Sequence, residues 1–126
     1  MCSGLQAVIA DRLSAAFTAG DADTLRELLH PEAVIWHNYD RVNQSVDEVV
    51  ATVAGTAHAL RNLRYEDVRR LKIEDGYVQQ HVLRGQTQDG LEICAEVCVI
   101  ARIENSRVTR YEEYMDSAAL AVLMPS

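Results

Sequence analysis

The groups in this chain best suited to moving a proton are its histidines and a few carboxylates near the C-terminus. His37 ends the apolar run Ala33-Val34-Ile35 and sits between Trp36 and Asn38. Side chains alternate across a strand, so Ile35 and His37 share one face and Trp36 and Asn38 the other. If Ile35 packs inward, His37 points into the interior with it. Burial disfavours the charged imidazole, and a neutral imidazole accepts a proton from an activated C–H, O–H or water. The other reading is a structural histidine pinned by one hydrogen bond. His81 alternates with Tyr77, Gln79 and Leu83. Two histidines facing one cavity would act as base and acid, or bind a ligand oxygen. A metal would need a third ligand, for which only Glu96 and Cys98 offer themselves, without diagnostic spacing; no metal site is expected. His30 and His58 fall at a helix end and a helix flank.

Thr109, Tyr111, Glu113 and Met115 share one face of the last extended run. Tyr111 and Met115 suit a pocket wall, which places Glu113 inside. There it could orient an imidazole or accept from a substrate hydroxyl. Its other reading is an ion pair with Arg102 or Arg110. Asp116 opens the stretch Asp-Ser-Ala-Ala-Leu, a helix start, and reads first as a cap. Asp67 and Arg69 share a face with Leu71 and Ile73, so either a bulge shifts the register or both reach a cavity mouth. Tyr39, Asp40 and Arg41 follow the first strand on a loop that could select ligands.

Composition narrows the classes. The chain has 126 residues, 48% apolar and 25% charged, which fits one ordinary domain over residues 1–126 with a core large enough to need no staple. The net charge of −7 argues against nucleic acid, which requires a clustered basic surface. Arg69, Arg70 and Lys72 are interrupted by Glu66, Asp67, Glu74 and Asp75. Of the three cysteines, Cys2, Cys94 and Cys98, the last two fall in one strand. There they would be about 13 Å apart, too far for a disulfide, which needs Cα atoms within about 7 Å. Reduced thiols and no signal peptide give a cytoplasmic expectation. The longest uncharged stretch, Val49–Leu60, is too short to span a bilayer.

The elements that must position these groups follow from periodicity. Leu5, Ile9, Leu13, Ala16 and Phe17 recur at helical spacing, predicting a helix over Leu5–Thr18 with a stop at Gly20. Asp21 or Asp23 caps a short second helix carrying Leu25, Leu28 and Leu29, which Pro31 ends. The strand leading to His37 follows. Ser45 and Glu48 form a capping box for a helix with the stripe Val46, Val49, Val50, Val53, Ala57 and Leu60. The period then becomes two, over Arg64–Glu74, Tyr77–Thr87, Leu91–Ile103 and Arg107–Asp116. Asp75-Gly76, Asp89-Gly90 and Asn105-Ser106 mark hairpins between them. A short helical tail is expected over Ser117–Leu123. This order gives an α+β fold with helices on one face of a curved antiparallel sheet. Long antiparallel strands curl, and the curl encloses a cavity of the kind that binds small ligands.

Three stretches carry a family resemblance: "FTAGDADTLRELLHPEAVIWHN", the Asp-Gly hairpins, and "RVTRYEEYMDSAAL". Over nearly the whole chain the sequence resembles the nuclear transport factor 2-like superfamily. Within it the chain is similar to SnoaL-like polyketide cyclases, ketosteroid isomerases and limonene-epoxide hydrolases. The resemblance implies a cystatin-like cone, a bent antiparallel sheet wrapped around three helices with an apolar pocket inside, and a homodimer through the outer sheet face. The isomerase base position falls on His37. The two donors of the isomerase oxyanion hole fall on Leu13 and on Cys98 or Val99, so that hole is missing. The epoxide hydrolase pattern resembles Trp36-His37-Asn38 and Tyr114-Met115-Asp116, matching Asn38 and Asp116 to groups that hold and activate water. Its arginine and second aspartate have no counterpart in "GYVQQHVLRG".

The expected function is cofactor-independent proton transfer, of isomerase or cyclase type, on a small, largely apolar carbonyl or hydroxyl compound. The expected catalytic groups are His37, His81 and Glu113. The expected substrate contacts are Trp36, Asn38, Tyr111, Met115, Asp116 and Cys98. Epoxide hydrolysis and non-catalytic ligand binding or dimerisation stand beside it. No cofactor, nucleic acid or membrane is expected as a partner.

Overall fold

The computed structural model describes residues 3–119. Helix α1 spans Ser3–Ala19 and buries Ile9, Ala10, Leu13 and Ala16, whereas Leu5, expected in the same stripe, is half exposed. Gly20 ends it with φ +69, and a Cβ there would sit 2.8 Å from the Ala57 Cβ, so both the left-handed turn and the close helix approach require glycine. Of the two candidate caps, Asp21 is the one used. Its side chain accepts from the Thr24 N–H at 3.1 Å and the Thr24 hydroxyl at 2.7 Å, starting α2, Ala22–Leu28. The capping box forms as expected: Ser45 Oγ accepts from the Glu48 N–H at 3.2 Å and Glu48 Oε1 from the Ser45 N–H at 3.0 Å. It opens α3, Val46–Ala59.

The strands are β1 (Leu29–His37), β2 (Asn43–Gln44), β3 (Leu60–Ile73), β4 (Gly76–Thr87), β5 (Glu92–Glu104) and β6 (Arg107–Met115). They form one sheet in the order β2-β1-β6-β5-β4-β3. The α+β cone holds, with one correction: the sheet is mixed, because β1 runs parallel to β6. β1 also starts at Leu29 rather than after Pro31. The β1–β6 register jumps from Leu29↔Val108 to Val34↔Arg110, and Pro31 lies in the looped-out stretch where no ladder N–H is needed. The first hairpin turns through Glu74 and Asp75, since Ile73 faces Gly76 across the ladder. Gly76 serves a different need: a Cβ there would meet the Ala101 carbonyl oxygen at 1.8 Å. Asn105 and Ser106 both have positive φ, the two-residue turn whose twist suits a hairpin.

β3 carries two bulges, between Arg61 and Arg64 and between Glu66 and Arg69. Asn62 and Asp67 sit in them at φ 54 and 53, types that adopt the left-handed region most readily after glycine. A bulge therefore settles the register left open around Asp67 and Arg69, and Asp67 and Arg69 are exposed. The helices pack on the inner sheet face, where Ile35, Val97, Val99, Ala101 and Val108 meet Leu13, Leu25 and Leu28. The core fills the end of the cone near α2. The other end stays hollow. Asp116 caps a turn at Ala118 with an N–H to Oδ1 bond of 3.0 Å; the rest of the expected tail, and Cys2, lie outside the described residues.

Candidate active site

The parallel pairing of β1 with β6 puts His37 opposite Glu113. His37 Nε2 lies 3.2 Å from Glu113 Oε1, and their side chains are 10% and 12% exposed. Nδ1 of His37 is buried and has no hydrogen-bond partner among the described residues. Nε2 is thus the ring atom turned toward the carboxylate, and Nδ1 the one left without a partner among those residues. The ion pairs considered for Glu113 do not form: Arg102 bonds Asp75, and Arg110 bonds Glu112.

The pair opens on a cavity of ≈ 140 Å³. Tyr111 and Met115 line it from β6 beside Glu113, and Ile35 lines it beside His37, as the alternation of each strand requires. Helix α3 contributes Val49, Thr52, Val53 and Thr56. The two threonine hydroxyls donate to carbonyls one turn back, at 3.0 Å each, so these residues offer no free donor proton. Phe17, Leu63 and Leu83 complete the apolar wall.

Two further tyrosines line the cavity: Tyr39, from the loop considered for ligand selection, and Tyr65, which escaped the sequence reading. Burial, then the Glu113 and Asp40 charges, push the Tyr39 phenol up to about 12. Burial first, then nearby groups including Glu113, hold Tyr65 and Tyr111 well above the ordinary phenol range. All three therefore remain O–H donors at neutral pH.

His81 is buried as expected, but the cavity does not reach it. Tyr65 stacks over its ring at 3.8 Å between centroids and 14° between planes. Arg70 Nε donates to Gln79 Oε1 at 2.7 Å, which turns the amide nitrogen toward His81 Nδ1 at 3.0 Å. Nδ1 must then accept, and the ring proton sits on Nε2, which is buried without a partner among the described residues. Burial lowers the imidazole to about 4; Glu113 opposes this and Arg70 adds to it. His81 is a neutral platform behind Tyr65, not an acid–base partner in the cavity.

Four expected substrate contacts are corrected in the same way. Trp36 lies off the cavity, edge-on to Tyr114 at 5.2 Å, with Arg41 over its ring at 5.8 Å. Asn38, Cys98 and Asp116 border a shallow depression on the outer side of the sheet. Asn38 Nδ2 donates to the Met115 carbonyl at 3.1 Å and its Oδ1 accepts the Met115 N–H at 2.8 Å. Its side chain thus extends the β1–β6 ladder past the strand end and clamps the strands that carry His37 and Glu113. Glu96 and Cys98, weighed as metal ligands, face away from His37 and His81, because Val97 and Val99 take the inward positions. Among the described residues no cluster of three histidine, cysteine or acidic side chains could hold a metal. No helix there is long and apolar enough to cross a membrane.

Comparisons with known proteins agree with this architecture. Several solved structures superpose on nearly the whole chain. A candidate SnoaL-like polyketide cyclase from Shewanella putrefaciens has a TM-score of 0.81 at 9% identity, with 93% of each chain covered. A nuclear transport factor 2-like protein from Burkholderia pseudomallei has a TM-score of 0.80 at 18% identity, covering 97% of this chain and 98% of that one. IdmH of Streptomyces antibioticus, a candidate polyketide cyclase, has a TM-score of 0.79 at 17% identity, covering 93% and 96%. At such identities the likeness speaks for the fold alone. No curated protein matches the sequence. The family model of the SnoaL-like domain matches residues 10–111, from within α1 to Tyr111 and so most of the cone, and the chain belongs to that family.

Proposed function

We propose that this protein is a cofactor-independent enzyme of isomerase or cyclase type that moves a proton on a small, largely apolar carbonyl or hydroxyl compound. The observation that carries this reading is the His37–Glu113 pair, 3.2 Å apart and nearly dry, at the wall of an apolar cavity. His37 Nε2 stands beside one carboxylate oxygen, 3.2 Å away. The other oxygen is free of any hydrogen bond to the described residues and takes the substrate proton. The carboxylate loses its negative charge in that step, and the substrate carries it instead. Tyr65 and Tyr111 supply O–H donors on the cavity wall where that charge can be stabilised, the part an oxyanion hole plays. They stand in for the donors missing at Leu13 and at Cys98 or Val99. The proton returns to a second atom of the substrate, which completes an isomerisation or a ring closure.

The test works before any substrate is identified. Deuterium uptake from solvent at carbons beside a carbonyl is followed by NMR for a panel of small ketones and enones. Wild type is expected to accelerate exchange for at least one of them. Glu113→Gln is expected to lose at least about a hundredfold, the usual worth of a positioned base. Equal rates in the two proteins would remove the carboxylate from the mechanism. Hydrolysis through Asn38 and Asp116 would need a site other than this cavity, since both border the depression on the outer side of the sheet. The non-catalytic reading keeps the same cavity and predicts binding without exchange.

A further inference from the structure

We propose that the ligand of this cavity carries a compact cationic group, a protonated or fully methylated amine, seated among the rings of Tyr39, Tyr65 and Tyr111 with Glu113 as its counter-charge. The inference rests on the reading of the cavity as the binding site, and it holds whether or not a proton is transferred there.

The argument begins with charge balance. Several carboxylates on the surface have arginine partners: Glu27 with Arg12, Asp47 with Arg26, Asp11 with Arg70, Asp75 with Arg102. Glu113 is 12% exposed and, among the described residues, meets only an imidazole. No lysine or arginine of the described residues lines the cavity. Arg70, a cation behind the wall, is engaged with Asp11 and Gln79. A carboxylate removed from water without an opposite charge is costly to maintain. His37 brings a single ring nitrogen to within 3.2 Å of the carboxylate. A cationic ligand would bring the permanent positive charge that no lysine or arginine of the lining supplies.

The walls fit such a ligand. Aromatic rings attract a cation through the negative face of their quadrupole, and the attraction grows when water is excluded. Phe17 and Tyr111 meet at 5.3 Å with their planes tilted by 47°, giving a curved aromatic surface rather than a flat one. One face of Tyr65 is covered by His81, which fixes that ring against the wall from behind. The carboxylate lies near enough to the three phenols to strengthen their hold on their protons. A negative centre ringed by aromatic groups, with aliphatic walls and no basic side chain, selects against anions and favours cations over neutral molecules of equal shape.

Three probes of similar branched shape separate the cases: tetramethylammonium, tert-butanol and pivalate, carrying positive, zero and negative charge. Each is titrated into the protein while the Met115 methyl, at the cavity wall, is followed by NMR. Tetramethylammonium is expected to bind roughly tenfold or more tightly than tert-butanol, and pivalate not to shift the signal. Glu113→Gln, nearly isosteric, is expected to level the first two. Equal or stronger binding of tert-butanol or pivalate to wild type overturns the proposal, as does a Met115 methyl that fails to respond to the cation. A preference for the cation that survives Glu113→Gln overturns the role of the carboxylate. The ranking in wild type decides the matter even if the variant does not fold. The outcome is also separate from the exchange assay: a failed ranking leaves proton transfer standing, and absent exchange leaves the ranking standing.

Discussion

His81 should give this protein a measurable sensitivity to acid. In the folded chain its imidazole is lowered from the ordinary 6.5 to about 4, chiefly by burial. Gln79 already donates to Nδ1, so a proton arriving there would have to break that bond. The unfolded chain takes up the proton near the ordinary value, so between these limits unfolding binds one proton. Stability from this group is complete above pH 6.5 and is lost as the pH falls toward about 4. At about 1.4 kcal/mol per pH unit, the loss sums to roughly 3 kcal/mol, a large part of a small domain's total. The perturbation is His81→Phe, which keeps a ring against Tyr65 and removes the titration. The variant will be less stable at neutral pH, because the Gln79 amide loses its acceptor. Its pH dependence is the diagnostic quantity. Urea unfolding of both proteins, from neutral pH to about pH 4, should show wild type losing roughly 3 kcal/mol more than the variant across the range. Parallel curves for the two proteins would refute the reasoning. So would an NMR titration of the folded protein in which the His81 ring changes charge near its ordinary value.

Two further outcomes follow from backbone geometry. Asn38→Ala removes both bonds to Met115 and should destabilise the domain by about 1–3 kcal/mol, measured by urea unfolding. A midpoint unchanged from wild type would show that the clamp contributes nothing to the β1–β6 junction. Gly76→Ala places a methyl group 1.8 Å from the Ala101 carbonyl oxygen, so the β4–β5 ladder must move. A loss of about 3 kcal/mol or more is expected, read as a lowered thermal midpoint or as insoluble expression, and a normally folded variant with the wild-type midpoint would contradict the packing described at that turn.

Much of the fold could be read from local chemistry because local chemistry produces it. The capping box at Ser45 and Glu48, the cap at Asp21 and the alternation in the later strands each depend on neighbours a few residues away. The parallel register of β1 with β6 does not. It joins segments far apart in the chain, and nothing near His37 or Glu113 announces that they will be opposite one another. The short strand β2 escapes for a related reason, since two residues carry no period. The bulges of β3 are an intermediate case. Each places one Asn or Asp in the left-handed region, and a polar residue of this kind inside an alternating run is a signal that could be used. Counting without a bulge keeps Tyr65 on one face with Leu71; the bulge at Asp67 breaks that parity, so Leu63 and Tyr65 line the cavity while Leu71 is exposed.

The four corrected contacts point to a sharper rule. Strand parity sends His37 inward and, by the same count, sends Trp36 and Asn38 outward. Parity also sets Cys98 apart from its inward neighbours Val97 and Val99. Resemblance to enzymes in which similar types do chemistry assigns these residues to the pocket, and that assignment contradicts the alternation of the same strands. The structure sides with parity at every one of these positions. Physical constraint explains the result: a one-residue slip would move the whole apolar row of a strand into solvent, whereas a site group can be replaced from another strand whenever the cavity has a free wall. Tyr65 illustrates the point. It comes from β3, not from α1 or β5 where the isomerase donors would lie, yet it lines the same hollow. In this chain the residues that furnish the cavity's chemistry are therefore read face by face, strand by strand.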